Sequence, residues 1–199
     1  MKTIIFSQRV EVIESYGERR DCTDQRIAEF IRACGYLPIP VPNNPAIAKE
    51  MVGAVNPSGI ILVGGNSLVK YAGNAPERDA TDKMLLDISV ERCIPLYGFC
   101  RGMQSILDYF GNDLTKVAGH VAVRHEIMGA EGTRDVNSYH NEACVRLNNN
   151  ELIAIMHAGD GVIEKVKHKS LPIVGTMWHP ERERPFSAGD IEMVRGLYG

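Results

Sequence analysis

Residues 58–65, SGIILVGG, set four large apolar side chains in a row and end on two glycines. A strand with one wet face alternates apolar and polar residues, so an unbroken apolar run calls for a strand covered on both faces. That demand is met by a parallel sheet with helices packed above and below. IPLYGF (94–99) and LPIVGTMWH (171–179) read as two more core strands. TIIFSQ (3–8) and YLPIPV (36–41) read as strands nearer the start.

Helical patterns fall between these runs. Residues 22–34 carry Ile27, Phe30, Ile31 and Cys34 at helical spacing before Gly35. PAIAKEMVGAV (45–55) predicts a short helix, 77–92 a longer one with acidic residues early, and 101–110 a helix closed by Gly111. Such alternation predicts a doubly wound, mostly parallel α/β sheet of the flavodoxin-like kind. After about residue 115 the texture changes to short strands: HVAVR, DVNSYH, CVRLN, LIAIMH and VIEKVKH, with RLNNNE (146–151) as a hairpin turn. These predict antiparallel additions to the same sheet, and 188–198 a closing helix. The expectation is one domain over residues 1–199.

Net charge is −3 and no basic run exceeds Arg19–Arg20, which argues against nucleic acid or an anionic membrane surface as partner. No apolar stretch is long enough to span a bilayer. Five widely spread cysteines without a Cys-x-x-Cys fit neither a disulfide framework nor a zinc knuckle, and point to a reducing cytoplasm. His120 and His125 lack His-Glu-x-x-His spacing and nearby cysteines, so neither a metal site nor a cofactor is expected.

Chemistry is expected where strands end. Gly98-Phe99-Cys100-Arg101-Gly102 has the spacing of a nucleophile elbow, whose glycines permit a sharp strand-to-helix turn. The helix N-terminus beneath it favours a thiolate. His179, at the end of the last core strand, is the candidate base, and Glu181 two residues on is placed to orient its imidazole. Backbone N–H groups exposed at VGGN (63–66), together with the amide of Arg101, are candidates for an oxyanion site. His140, just beyond a predicted strand, is a candidate pocket residue.

GFCRGMQ with WHPE downstream and GGN upstream resembles the class I glutamine amidotransferase superfamily, and the resemblance runs over essentially the whole chain. YGERRDCTDQ, GYLPIPVP, APERDATDKMLLD and VNSYHNE are more similar to its free-standing γ-glutamyl hydrolase branch. The resemblance implies Cys100 as nucleophile, His179 as base and acid, and Glu181 as orienter. It implies Gly65 and Arg101 as oxyanion donors and Gln104 as a γ-glutamyl contact. Asn137, Ser138, Tyr139 and His140 would wall the substrate's α-amino and α-carboxylate ends. Two features depart from the branch: the chain is shorter than the polyamine-pathway members, and Phe99 stands where many relatives have an aliphatic residue.

Three readings follow. The first is a hydrolase of a small γ-glutamyl amide, needing no synthase partner, with a nucleotide amidate as the implied leaving group and self-association left open. The second is a glutaminase component passing ammonia to a synthase, or a relative acting on γ-glutamyl polyamines or γ-aminobutyrate. The third is a redox-sensing α/β module, which would lack a His-x-Glu pair after the last strand. Arg9, Arg19, Arg20, Arg78 and Arg101 are candidate phosphate partners on the leaving-group side.

Overall fold

The computed structural model describes residues 1–199. The first half contains β1 (Thr3–Phe6), β2 (Arg9–Ile13), β3 (Glu18–Cys22), α1 (Gln25–Ala33), β4 (Leu37–Pro40) and α2 (Pro45–Val55). It continues through β5 (Gly59–Leu62), α3 (Pro76–Arg92), β6 (Leu96–Phe99) and α4 (Arg101–Tyr109). The second half contains β7 (Thr115–Lys116), β8 (Val121–Gly129), β9 (Gly132–Tyr139), β10 (Glu142–Ala143) and β11 (Leu152–Ala158). β12 (Ile163–His168), β13 (Ile173–Thr176) and α5 (Ala188–Tyr198) complete the chain.

Nine strands form one sheet in the order β4-β1-β5-β6-β13-β12-β11-β8-β9. The pairs from β4 to β13 are parallel, and those from β13 to β9 are antiparallel. This is the expected α/β architecture: a parallel core extended by an antiparallel half.

The apolar run that predicted a doubly covered strand splits as it must. Ile60 and Leu62 point into one core with residues of α2, α3 and α4, whereas Ile61 and Val63 point into another with residues of α1 and α5. All four are essentially inaccessible to water, and each such side chain contributes about 1.5–3 kcal/mol by burial. Asn44 starts α2 by accepting from the Ile47 amide, with Pro45 in the first turn, and Asn56 ends it in the left-handed conformation.

Three expectations are corrected. The helix predicted from residue 22 starts at Gln25, because Asp24 accepts from the Arg26 amide as its cap and Cys22 is already paired in a ladder. That ladder, β2 with β3, is an additional hairpin turning through Gly17 at φ +64°. Its alternating Arg9-Val10-Glu11-Val12 is the sequence signal for it. CVRLN is not a strand, and RLNNNE is a loop rather than a hairpin turn. The Asn148 amide donates to Asn112 Oδ1 at 2.7 Å and its side chain to the Gly111 carbonyl at 3.2 Å, so side chains anchor this segment to the end of α4.

Candidate active site

β5, β6 and β13 are adjacent and parallel, with Leu62 opposite Gly98 and Thr176 opposite Phe99. Their carboxyl ends therefore emerge side by side, where open α/β sheets bind ligands. Three distant segments, Gly64–Gly65, Cys100 and His179, line adjoining parts of one cleft.

Cys100 has φ +51° and ψ −111°, a conformation that costs a side-chain-bearing residue about 1–3 kcal/mol. The turn is clamped around it: the Cys100 amide donates to the Thr176 carbonyl at 2.8 Å, and the Cys100 carbonyl accepts from the Gln104 amide at 3.0 Å. Both elbow glycines are sterically required. A Cβ on Gly98 would lie 2.6 Å from the Gly102 backbone, and one on Gly102 would strike the Leu62 carbonyl. α4 begins at Arg101, so the thiol stands at a helix N-terminus. Burial pushes the Cys34 thiol up to about 12 and also raises that of Cys144, leaving both poor sources of thiolate.

His179 Nδ1 lies 2.7 Å from Glu181 Oε1, with both side chains buried. The single turn Pro180–Arg182 carries the carboxylate back to the ring. Asn137 pins the histidine's backbone from both sides: it accepts from the His179 amide at 2.9 Å and donates to the His179 carbonyl at 2.9 Å. The rings of Phe99 and Tyr139 meet the imidazole edge-on, each with centroids 5.6 Å away. Burial opposes the imidazolium, but a Cys100 thiolate and Glu181 together outweigh it and raise the His179 pKa to about 10.

Gly64 packs between these groups. A Cβ there would be 2.8 Å from the His179 ring and 3.5 Å from the Cys100 Cβ. The turn is held by Arg78, whose buried guanidinium donates to the carbonyls of Val63, Gly64 and Gly65. Gly65, at φ +88°, borders the cleft.

The cleft around Cys100 measures about 180 Å³ and is mostly polar, with Gln104, Tyr139, His140 and Arg182 among its walls. Gln104 Nε2 donates to the Glu142 carbonyl at 2.8 Å, tying α4 to the facing wall. A larger groove of about 780 Å³ runs between α3 and α4 but contains none of Gly65, Cys100 and His179. The chemistry-bearing groups decide in favour of the smaller space.

Several sequence-predicted roles shift. Asn137 and Ser138 are buried and do not line the cleft, because Asn137 holds His179 and Ser138 donates to the His120 carbonyl at 2.7 Å. Tyr139 and His140 do reach it. Arg101 keeps its backbone beside Cys100, but its guanidinium is buried against Asp79, Asp82 and Ser105. Arg78 is committed to carbonyls, while Arg19 and Arg20 pair with Glu77 and Glu18 at the surface. Arg9 is the one proposed phosphate partner left beside the site, packed against Gly65 and lining the same space as Glu181.

Arg182 escapes the motif reading. It lies over the Tyr139 ring at 4.0 Å and is partly exposed in the cleft. Its position three residues after His179 is the signal that could find it. Farther along the same wall, His120, His140 and Glu164 bring their ligand atoms within 4.8 Å of one another. Motif spacing misses this group because its members come from three separate segments.

The fold thus places a strained cysteine at a parallel-strand terminus with a buried His–Glu pair beside it. The family model described as glutamine amidotransferase class-I matches residues 20–188, and the chain belongs to that family. Among curated relatives, it is 33% identical over 185 residues to the γ-glutamyl-CDP-amidate hydrolase of Campylobacter jejuni, covering 89% of each chain. The γ-glutamyl-γ-aminobutyrate hydrolase of Escherichia coli O157:H7 is 25% identical, with 83% of this chain and 80% of that one covered. A glutamine-hydrolysing GMP synthase component of Methanosphaera stadtmanae is 27% identical, with 92% and 93% covered. A crystal structure of a Thermoplasma acidophilum protein, described as a GMP synthase component, matches with TM-score 0.75 at 18% identity, covering 100% of this chain and 94% of that one, and so shares the fold. No helix is long and apolar enough to cross a membrane.

Proposed function

We propose that the protein hydrolyses a γ-glutamyl amide through a covalent thioester on Cys100. The observation that carries this reading is the strained Cys100 beside a buried His179–Glu181 pair whose backbone is pinned by Asn137. The Cys100 Sγ attacks the γ-carbonyl carbon, and the amides of Gly65 and Arg101 receive the developing oxyanion. Imidazolium at His179 protonates the departing nitrogen as the C–N bond breaks. Water then attacks the thioester, His179 takes its proton, and glutamate leaves as the thiol is restored. Glu181 keeps the ring oriented through both steps.

The leaving group is a nucleotide amidate, with γ-glutamyl-CDP-amidate as the specific proposal and the freed phosphoramidate destined for capsular polysaccharide. The 33% identity to the Campylobacter hydrolase supports this. Arg182 and Arg9, the two guanidinium groups beside the cleft, supply donors suited to phosphate oxygens. The protein then works without a synthase partner. A second reading, a glutaminase component feeding a synthase, is favoured by the 27% identity to the Methanosphaera GMP synthase component.

Comparing kcat/KM for glutamine, γ-glutamyl-γ-aminobutyrate and γ-glutamyl-CDP-amidate, using the isolated protein, decides between them. The proposal requires the nucleotide amidate to win. Glutamine equal or better would support the glutaminase reading.

A further inference from the structure

Three histidines converge on one buried carboxylate beside the cleft. His120 Nδ1, His125 Nε2 and His140 Nε2 lie 3.4, 3.4 and 3.3 Å from Glu164 Oε1. Glu164 is fully buried, and the side chains of His120 and His140 are nearly so. None of these four facing atoms has a hydrogen-bond partner, and Glu164 Oε2 is also unpaired. So many unsatisfied buried polar atoms at one point is unfavourable for a core without something to join them.

Protons alone serve the cluster badly. N–H···O bonds span about 2.7–3.2 Å, shorter than all three separations, and one oxygen would have to accept from three rings. His120 sharpens the difficulty. Its Nε2 lies 2.8 Å from Asp160 Oδ2, and in the tautomer that donates to this carboxylate the ring proton sits on Nε2. Nδ1 then presents a lone pair to the Glu164 oxygen, and two acceptors face each other.

A cation between them resolves the conflict. With zinc–ligand bonds near 2.0–2.1 Å, neighbouring corners of a tetrahedron are about 3.3–3.4 Å apart. The three nitrogen-to-Glu164 spacings have that value, and an ion bound there would draw in His120 and His140, whose ligand atoms already lie within 4.8 Å of one another; an octahedral magnesium site would pull its ligands to about 3.0 Å. The donor set, imidazole with one carboxylate, suits a divalent transition ion. Asp160 on the remote nitrogen of His120 is the outer partner by which proteins orient a metal-bound imidazole.

We propose that His120, His140 and Glu164 hold a structural zinc ion, with His125, whose Nε2 lies 3.4 Å from Glu164 Oε1, drawn in as fourth ligand. It joins the residues flanking the β8–β9 hairpin to β12 and anchors the wall that carries Tyr139 and His140. The reacting thiol and imidazole lie outside it, and its role is to position that wall.

Untagged full-length protein, stripped with chelator, is titrated with Zn2+ against a chromophoric competitor and separately with Co2+. Binding of one ion per chain at micromolar or lower concentration, with the visible bands of tetrahedral cobalt, is expected. Glu164→Gln and His120→Ala should lose the site. Asp160→Asn, an exposed change that spares the fold, should weaken it about 10–100-fold. Cys100→Ala should bind like wild type. Absence of stoichiometric binding, undiminished affinity in Glu164→Gln, or loss of the ion in Cys100→Ala would each overturn the proposal.

Discussion

Arg78 Nη2 donates a 3.0 Å hydrogen bond to the Gly64 carbonyl, and the same guanidinium also holds the carbonyls on either side. A cation buried in α3 thereby fixes the backbone turn that faces Cys100. Lysine cannot reproduce this, because an ammonium on a flexible stem lacks the planar fork. Arg78→Lys is expected to lower kcat by about 10²–10³-fold, the scale of a lost oxyanion donor, with a smaller change in KM. Steady-state kinetics with circular dichroism as a folding control checks this.

Cys100→Ala should abolish turnover and leave the fold intact, since glycine packing at 98 and 102, not the thiol, closes the elbow. Changing Cys22, Cys34, Cys93 or Cys144 to serine or alanine should keep activity within about tenfold, or ~1.4 kcal/mol of barrier. Mass spectrometry of the quenched reaction should place a γ-glutamyl adduct on Cys100. An adduct on another residue would require a different mechanism.

The raised pKa of His179, about 10 against 6.5 for the unperturbed ring, has a defined sign. Its stabilisation is complete below about 6.5 and fades as pH rises through about 10, because the folded state retains the proton longer. Glu181→Gln should lower this pKa, and Cys100→Ala should lower it as well. Imidazole NMR titration reads both shifts directly. The melting-temperature gap between wild type and Glu181→Gln should narrow as the pH approaches 10.

Arg182→Ala should reduce kcat/KM for a γ-glutamyl nucleotide amidate by about tenfold or more, equivalent to ~1.4 kcal/mol. Glutamine, lacking phosphate, should be affected far less. Arg19→Ala should change neither, since that side chain is paired with Glu77 away from the cleft. Equal losses on both substrates would remove Arg182 from leaving-group recognition.

The legible parts of this fold are those fixed by local rules. Continuous apolar runs mark β5, β6 and β13, and Asn44 with Pro45 marks the start of α2. Cys100, His179 and Gly65 can be found because each follows closely on such a strand. What stays hidden depends on side-chain direction across the tertiary structure. Nearness in sequence to Cys100 or His179 marks both Arg101 and Arg182, but it does not say that the first is buried against Asp82 and the second reaches the cleft. Asn137 reads like a substrate contact because its neighbours Tyr139 and His140 line the pocket, but its amide is committed to the backbone of His179. The Asn-rich loop resists a local reading because asparagine bonding to the end of α4 leaves no periodicity to detect.

The seam between β13 and β12, where the sheet changes from parallel to antiparallel, also divides labour. Gly65, Cys100 and His179 belong to the parallel side, whereas Tyr139, His140 and Glu142 belong to the segment that builds the other side. On the proposed reading, the reacting groups therefore sit on one side of this seam and one wall of the substrate cleft on the other. On the same reading, a chimera that exchanges residues 112–168 for those of a relative should keep its thioester chemistry provided Asn137 is retained to pin His179, and should change how the Tyr139–His140 wall meets the substrate while Arg9 and Arg182 stay in place. Within such a lineage, new substrates can arise by remodelling one flank while the reacting groups stay where the central strands hold them.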